Sequence, residues 1–504
     1  MAQVAKIDSN STGLAYAEEA SLKTLSSPVW KGLEPNSYGD FGSDITTVAP
    51  APITDTRSRK KGSVTDLDAS GGFNQNLTLW NFEDIMQSLM FSNWERKGLE
   101  EVTAVTGTVY EMASTTGFLD GSLVKGFKFS NAANNGMGLV TAVTADTSIA
   151  VAGLTAEGSP PTGAYVQVVG FQADAGDIDV DISGDFPTLT STTLDFTTLG
   201  LIPGQWIFLG GDTAITEFTN AVNNGFKRVR SISANALVLD KSAAAMVTEA
   251  TTTETIQIFF GDVLRNRTGT DITRHTYHLE RLLGVPDDAQ PAQVQSQVLQ
   301  GMVWNEGAFN IPTANLVNVD ATFVGLDELL RTAAEGPLQT NVQAPMSADV
   351  YNTSSDFNRL KIAQVTSADE APVPLATYVT EITVNVNNNV TANKAVAVLG
   401  GFDLTAGIFQ VSGSVTAYFN NVSAIAAVRN NADITMDAII VKNNGGIAID
   451  IPLIALGDGR LNVEANEPVT IPLAMDAAEG LDAYSGFSHT LLWTWFAYLP
   501  DAAE

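Results

Sequence analysis

His275, His278 and Glu280 form a histidine and carboxylate grouping that could hold a metal ion if the segment were a helix, where residues three apart share a face. Residues 273–281, Thr-Arg-His-Thr-Tyr-His-Leu-Glu-Arg, instead alternate and carry Thr and Tyr as a strand does, so the two histidines are expected on opposite faces. Asp177, Asp179 and Asp181 open like a calcium loop. That loop needs glycine at its sixth position and an acid at its twelfth, where this chain has Ile182 and Thr188. With Ile178, Val180 and Ile182 in the alternate places, an amphipathic strand with a solvated acid row is expected. His489 is isolated in sequence. There is no Gly-rich phosphate loop ending in Lys and Ser or Thr, no Gly-x-Ser-x-Gly elbow and no His-Glu-x-x-His helix. The chain has no cysteine, which excludes disulfides, thiolate nucleophiles and cysteine-ligated zinc. No catalytic, cofactor-binding or metal-ligating residue is assigned, and the expectation is a protein that is not an enzyme and needs no cofactor.

Charge narrows the classes further. Lys and Arg number 26 against 56 Asp and Glu, a formal net charge of −30, which argues against a surface that grips nucleic acid. Such a surplus keeps free copies apart until specific contacts overcome the repulsion, and makes assembly sensitive to ionic strength. Against that background the run Arg57, Arg59, Lys60 and Lys61 stands out as a candidate loop for contact with an acidic face of a neighbouring copy. Exposed ion pairs contribute only about 0–1 kcal/mol each, so the role expected for these four is register rather than strength. The first ten residues lack an apolar run of signal-peptide length, and no window approaches the roughly 18 apolar residues of a membrane helix. Synthesis in the cytoplasm and no membrane contact are expected.

The elements that must position any such surface are mostly strands. Residues 1–62 are rich in Ser, Thr, Gly, Pro and Asp and read as an N-terminal arm and loop. Phe73, Leu77 and Leu79 alternate with polar residues, and then Phe82, Ile85, Met86, Leu89 and Met90 take up helical spacing behind Asn81 as an N-cap. The same strand, asparagine and apolar helix order returns at 411–426, which suggests an internal duplication. A second duplication lies between: Gly117-Phe-Leu-Asp-Gly121 matches Gly200-Leu-Ile-Pro-Gly204, and each is followed by Asn-Asn-Gly, at 134–136 and 223–225, expected as hairpin turns with positive φ. The organisation expected is a first module from 63–100 with 265–334, an inserted pair of small β modules at 101–264 (about 101–180 and 181–264), a connection at 335–375 and a second module at 376–504. Residues 326–331 are expected to form a short helix.

Residues 273–281 and 301–325, in order and phrasing, resemble the strand and hairpin region of major tail tube proteins from long, flexible, non-contractile (siphovirus-type) phage tails. Residues 14–20, 53–57 and 64–90 resemble the opening segment, loop, first strand and helix of that family, and 379–389, 407–419 and 449–453 its second half. The resemblance implies an all-β fold with few short helices: two tail-tube β-sandwich modules that form a β-barrel lumen on oligomerisation, here with the inserted pair added. It implies a structural virion protein of the tail, assembling with itself as trimeric or hexameric stacked rings and meeting the tail terminator, tape measure and baseplate proteins. DNA would pass through the lumen without specific binding. A carbohydrate-active or adhesin-like β protein of a tail fibre or capsid decoration fits the same β pattern, and would need paired acids in a cleft beside exposed aromatics.

Overall fold

Alternating apolar and polar residues, punctuated by Gly and Asn, leave the backbone little choice but to satisfy its hydrogen bonds between strands. The computed structural model is accordingly almost entirely β; it describes residue 7 and residues 12–284, 294–346, 348–367, 369–376, 378–480 and 486–504. The segment read for a signal peptide lies almost wholly outside the described residues. Among those described there are two α-helices, Met86–Met90 and Ser423–Arg429. No helix among them is long and apolar enough to cross a membrane. The chain divides into two compact units, the first from Met1–Ser92, Arg267–Tyr351 and Glu381–Ser414, the second from Asn93–Asn266, Asn352–Thr380 and Val415–Glu504.

In the first unit the strand Ser296–Pro312 is the spine. It pairs antiparallel with Asn318–Gly325 on one side and with the 381–387 part of the Val379–Asn387 strand on the other. Asn318–Gly325 pairs in turn with Ser63–Asn76. The hairpin expected at 301–325 is therefore present, closed by residues 313–317. Trp304, Phe323, Phe73 and Phe82 stack on the inner face, with ring centroids 5.5 Å apart for Phe82 and Trp304 and 5.6 Å for Trp304 and Phe323. Over them lies the apolar stripe read from the sequence: Phe82, Ile85, Met86, Leu89 and Met90 are all essentially buried. Gly307 allows this approach, since a Cβ there would lie 2.9 Å from Leu89 Cδ2.

Three local expectations are corrected. The helix is shorter than its stripe, beginning only at Met86, and Asn81 does not cap it. Asn81 instead closes the turn out of the strand, donating to the Asn76 carbonyl at 2.6 Å and accepting from the Thr78 amide at 3.0 Å. Residues 326–331 are not helical: Asp327–Arg331 is a strand paired with Ser296–Gln300. The Leu-Asp-Glu-Leu-Leu-Arg propensity is overridden because the spine strand offers an open edge whose backbone groups must be paired. Residues 13–33 are also more ordered than their composition suggests, for Gly13–Glu18 pairs with Tyr277–Leu282 and Trp30 is 1% exposed.

In the second unit, twelve strands between Leu99 and Phe260 form one sheet system over a common apolar core. Its two halves repeat in atomic detail. Gly117 and Gly121 have φ of 84° and 90°, and Gly200 and Gly204 have φ of 63° and 92°. The Asn-Asn-Gly segments are not the expected hairpin turns: their asparagines lie in or cap short 3₁₀ turns, positive φ is found only at Gly225 and not at Gly136, and Asn134 and Asn223 are fully buried. The physical reason is a carboxylate absent from the sequence reading. Glu157 accepts from the Ser130 amide (3.0 Å) and Asn134 Nδ2 (3.0 Å), and Glu249 from the Thr219 amide (2.7 Å) and Asn223 Nδ2 (2.6 Å). Asn135 and Asn224 each accept from a phenylalanine amide, Phe129 and Phe218, at 2.9 Å. Glu157→Ala and Glu249→Ala should each cost about 2 kcal/mol through lost charge-assisted hydrogen bonds. Urea denaturation is expected to give similar losses for the two, because the networks are copies.

Candidate functional site

The residues of the first unit that point away from the aromatic core make a surface of one chemical kind. On Ser63–Asn76 they are Asn74 and Asn76, on Asn318–Gly325 Asn318, Asp320 and Thr322, on the spine Glu306, Ala308 and Asn310, and on the neighbouring strand Glu381, Thr383, Asn385 and Asn387. Period-two alternation puts them there, since Phe73, Val319, Ala321, Phe323, Phe309, Ile382, Val384 and Val386 occupy the buried places. The amides are spent on one another. Asn36 Nδ2 donates to Asn74 and Asn76 at 3.0 and 2.9 Å, and Asn74 Nδ2 donates to Asn318 and Asp320 at 3.0 and 2.7 Å. Asn310 Nδ2 donates to the same two acceptors at 3.1 and 2.8 Å, and Asn387 Nδ2 to Glu306 at 2.8 Å. Among the described residues of this face there is no lysine or arginine. A phosphate passing over it meets carboxylates and amides, of which Asn36, Asn74, Asn310 and Asn387 already donate within the ladder, and finds no cation to pair with.

Beyond the end of the sheet where Ala69 pairs with Gly325, the strands Gly42–Val48 and Ser63–Asn76 continue as a projecting hairpin. Its connection, residues 49–62, is exposed from 50 to 61 and carries Arg57, Arg59, Lys60 and Lys61. The structure thus gathers the four predicted cations on one protruding loop. Residues 167–477 match the phage tail tube protein family. The chain belongs to that family. No curated protein matches it.

In this tail tube protein the histidines singled out from sequence are structural. His278 is buried with its Nδ1 2.7 Å from Glu19 Oε1, and His275 Nδ1 lies 2.6 Å from Glu18 Oε1. Burial opposes the charge of Glu19, but bonds from His278, Thr276 and the Gly301 and Lys23 amides hold its carboxyl below the usual range. Glu280 is fully buried and accepts from Ser296 Oγ at 2.6 Å and from the Leu338 and Gln339 amides at 2.8 and 2.6 Å, tethering the segment after Arg331. The acid row is only partly solvated. Asp177 is 9% exposed and accepts from the Thr192 and Thr193 amides at 3.1 Å, while Asp181 accepts from Ser183 at 2.8 Å. Among the described residues no histidine and carboxylate group has metal-binding geometry.

A buried ionic cluster in the second unit had no motif to announce it. Arg228, on Gly225–Ser233, bonds Asp240 and donates to Asp450 Oδ1 at 2.7 Å and to Ser242 Oγ at 3.0 Å. Trp206 Nε1 reaches the same Asp450 oxygen at 3.2 Å, and His489 Nε2 lies 3.1 Å from Asp450 Oδ2. Arg359 pairs with Asp437 and stacks over Trp206 at 4.9 Å. Burial works against ionisation of Asp450, yet Arg228 and His489 hold its carboxyl below the ordinary value. Burial pushes the Asp437 carboxyl up, with Arg359 opposing. Arg228 and Trp206 belong to the 99–260 sheet system, Asp437 and Asp450 to the strands Ile434–Lys442 and Gly445–Asp458. The cluster therefore fixes one sheet system to the other.

Proposed function

We propose that this protein assembles with itself into stacked rings that form the hollow tube of a long, non-contractile, siphovirus-type tail, and that viral DNA leaves through it. The observation that carries the reading is the cation-free, amide-laddered face of the first unit, which suits a lumen wall that DNA must pass without sticking. Two tube modules per chain, 63–100 with 265–334 and 376–504, would let three chains close a six-module ring through head-to-tail strand pairing that leaves no free sheet edge. The strand, asparagine and helix order at Ser63–Asn76 with Met86–Met90, and again at Gln410–Tyr418 with Ser423–Arg429, supports that duplication. A ring of six chains is the alternative. The 101–264 pair would decorate the tube, and the terminator, tape measure and baseplate proteins would meet its ends. Its place is the virion tail, after synthesis in the host cytoplasm.

Purified protein should polymerise into hollow filaments of uniform width in negative-stain micrographs, and a protein that stays monomeric at all concentrations would refute the reading. Reversing the loop charges with Arg57→Glu, Arg59→Glu, Lys60→Glu and Lys61→Glu should raise the concentration needed for filaments by about tenfold at low salt and by less at high salt. The carbohydrate-binding alternative gains little support. A cleft in the second unit is lined by Asp120, Asp174 and Asp195, but its aromatic residue, Phe171, is only 8% exposed and offers no ring face to a sugar.

A further inference from the structure

The first unit carries a rigid apolar finger. Thr391–Asn393 pairs with Asp403–Thr405, and the connection between them, with Ile408 just beyond, exposes Val396 (99%), Leu399 (52%), Phe402 (53%) and Ile408 (75%). Its base is fixed: Val390 and Leu404 are buried with Phe91, Val303 and Leu326, and the Gly401 amide donates to the Leu326 carbonyl at 3.2 Å. Lys394 Nζ bonds Asp66 and lies 2.6 Å from Asp68 Oδ1, which pins the finger against the projecting hairpin. Four large apolar side chains held in water on a fixed support mark a surface that is covered in the working assembly.

We infer that this finger is the adhesive contact by which one copy seats on the next copy along the tube. The inference rests on the tube reading proposed above. The finger leaves the sheet at Asn387, beside Glu306, on the same end as the loop 49–62, whose four cations less Asp55 give a net charge of +3. The other end of the sheet is of opposite character. There Glu34 and Glu381 are exposed, Leu316 on the turn 313–317 is 40% exposed, and residues 34–36, 313–317 and 381–383 include no Lys or Arg. Like ends meeting would set cations against cations. Unlike ends meeting bring the cationic loop to the acids and the finger to Leu316, a head-to-tail contact that repeats without closing and so grows a tube.

Because the chain has no cysteine, Val396→Cys offers a single attachment point for a benzophenone maleimide. Irradiated filaments should yield crosslinks from residue 396 to residues 313–317, or to 34–36 or 381–383, of another copy. Crosslinks confined to other surfaces would overturn the inference. The variant Val396→Ser with Phe402→Ser and Ile408→Ser should keep the parent's circular dichroism and melting temperature yet need at least about tenfold more protein to form filaments. If that variant misfolds, Val396→Ser with Ile408→Ser, both at strongly exposed positions, makes the same comparison. A serine variant that polymerises as readily as the parent would overturn the finger while leaving the tube intact. A parent that never polymerises would overturn both.

Discussion

Asp450→Ala should cost the second unit about 3–5 kcal/mol and lower its melting temperature by about 10 °C, the largest single-residue effect expected. The side chain is fully buried and is shared by Arg228, Trp206 and His489, so truncation leaves the Arg228 charge with one carboxylate, Asp240, in a site without solvent. Calorimetry should show the loss. A change below about 1 kcal/mol would mean that the cluster does not fix the two sheet systems. The pH dependence has a definite sign. Asp450 is held below its ordinary value in the fold, so its contribution is complete above the unfolded value of 3.8 and is lost as pH falls through the lower folded one. Asp437, pushed up by burial, acts in the opposite sense and softens the acid limb. Asp450→Ala should therefore be less stable at neutral pH but lose less on further acidification than the parent. Replacing Arg228, Asp240 and Asp450 together by apolar residues of similar volume should recover much of the stability, because no unpaired charge remains.

Asn310→Lys with Asn318→Lys should leave tail assembly intact and slow DNA release by on the order of tenfold at low salt. Both positions are on the polar face, neither side chain is part of the aromatic core, and an added lysine replaces an engaged amide by a cation within reach of phosphate. Raising the salt concentration should relieve the effect, because it rests on phosphate pairing. Ejection timed by fluorescence of released DNA, on phage of normal tail width by microscopy, makes the measurement. Unchanged ejection at low salt would count against a lumen position for this face. Asn310→Asp with Asn318→Asp is the control of opposite charge, and is expected to release DNA at the parent rate.

The strands were legible wherever one face is buried and the other wet, because that condition writes itself as period-two alternation. Residues 306–311, 318–323 and 381–387 show it. The stripe of Phe82, Ile85, Met86, Leu89 and Met90 was equally legible as an apolar face, though the helix contains only the last three of these residues. Where alternation was absent, local propensity misled. Residues 326–331 look helical in isolation, and Asn134 and Asn223 look like turn residues, until the partner that satisfies them is known. Glu157 and Glu249 are such partners, and each lies more than twenty residues from its asparagine.

By itself the sequence determined the β class, the repeat at Gly117 and Gly200, the absence of cysteine chemistry and the family resemblance, since each depends on neighbours along the chain. Only the tertiary structure decided that Asn74, Asn310 and Asn318 from three strands share one ladder, that Arg228 finds Asp450 222 residues away, and that an apolar finger stands beside a cationic loop. Strand pairing brings distant residues to hydrogen-bonding distance, and no pattern within a single strand records which other strand will lie beside it.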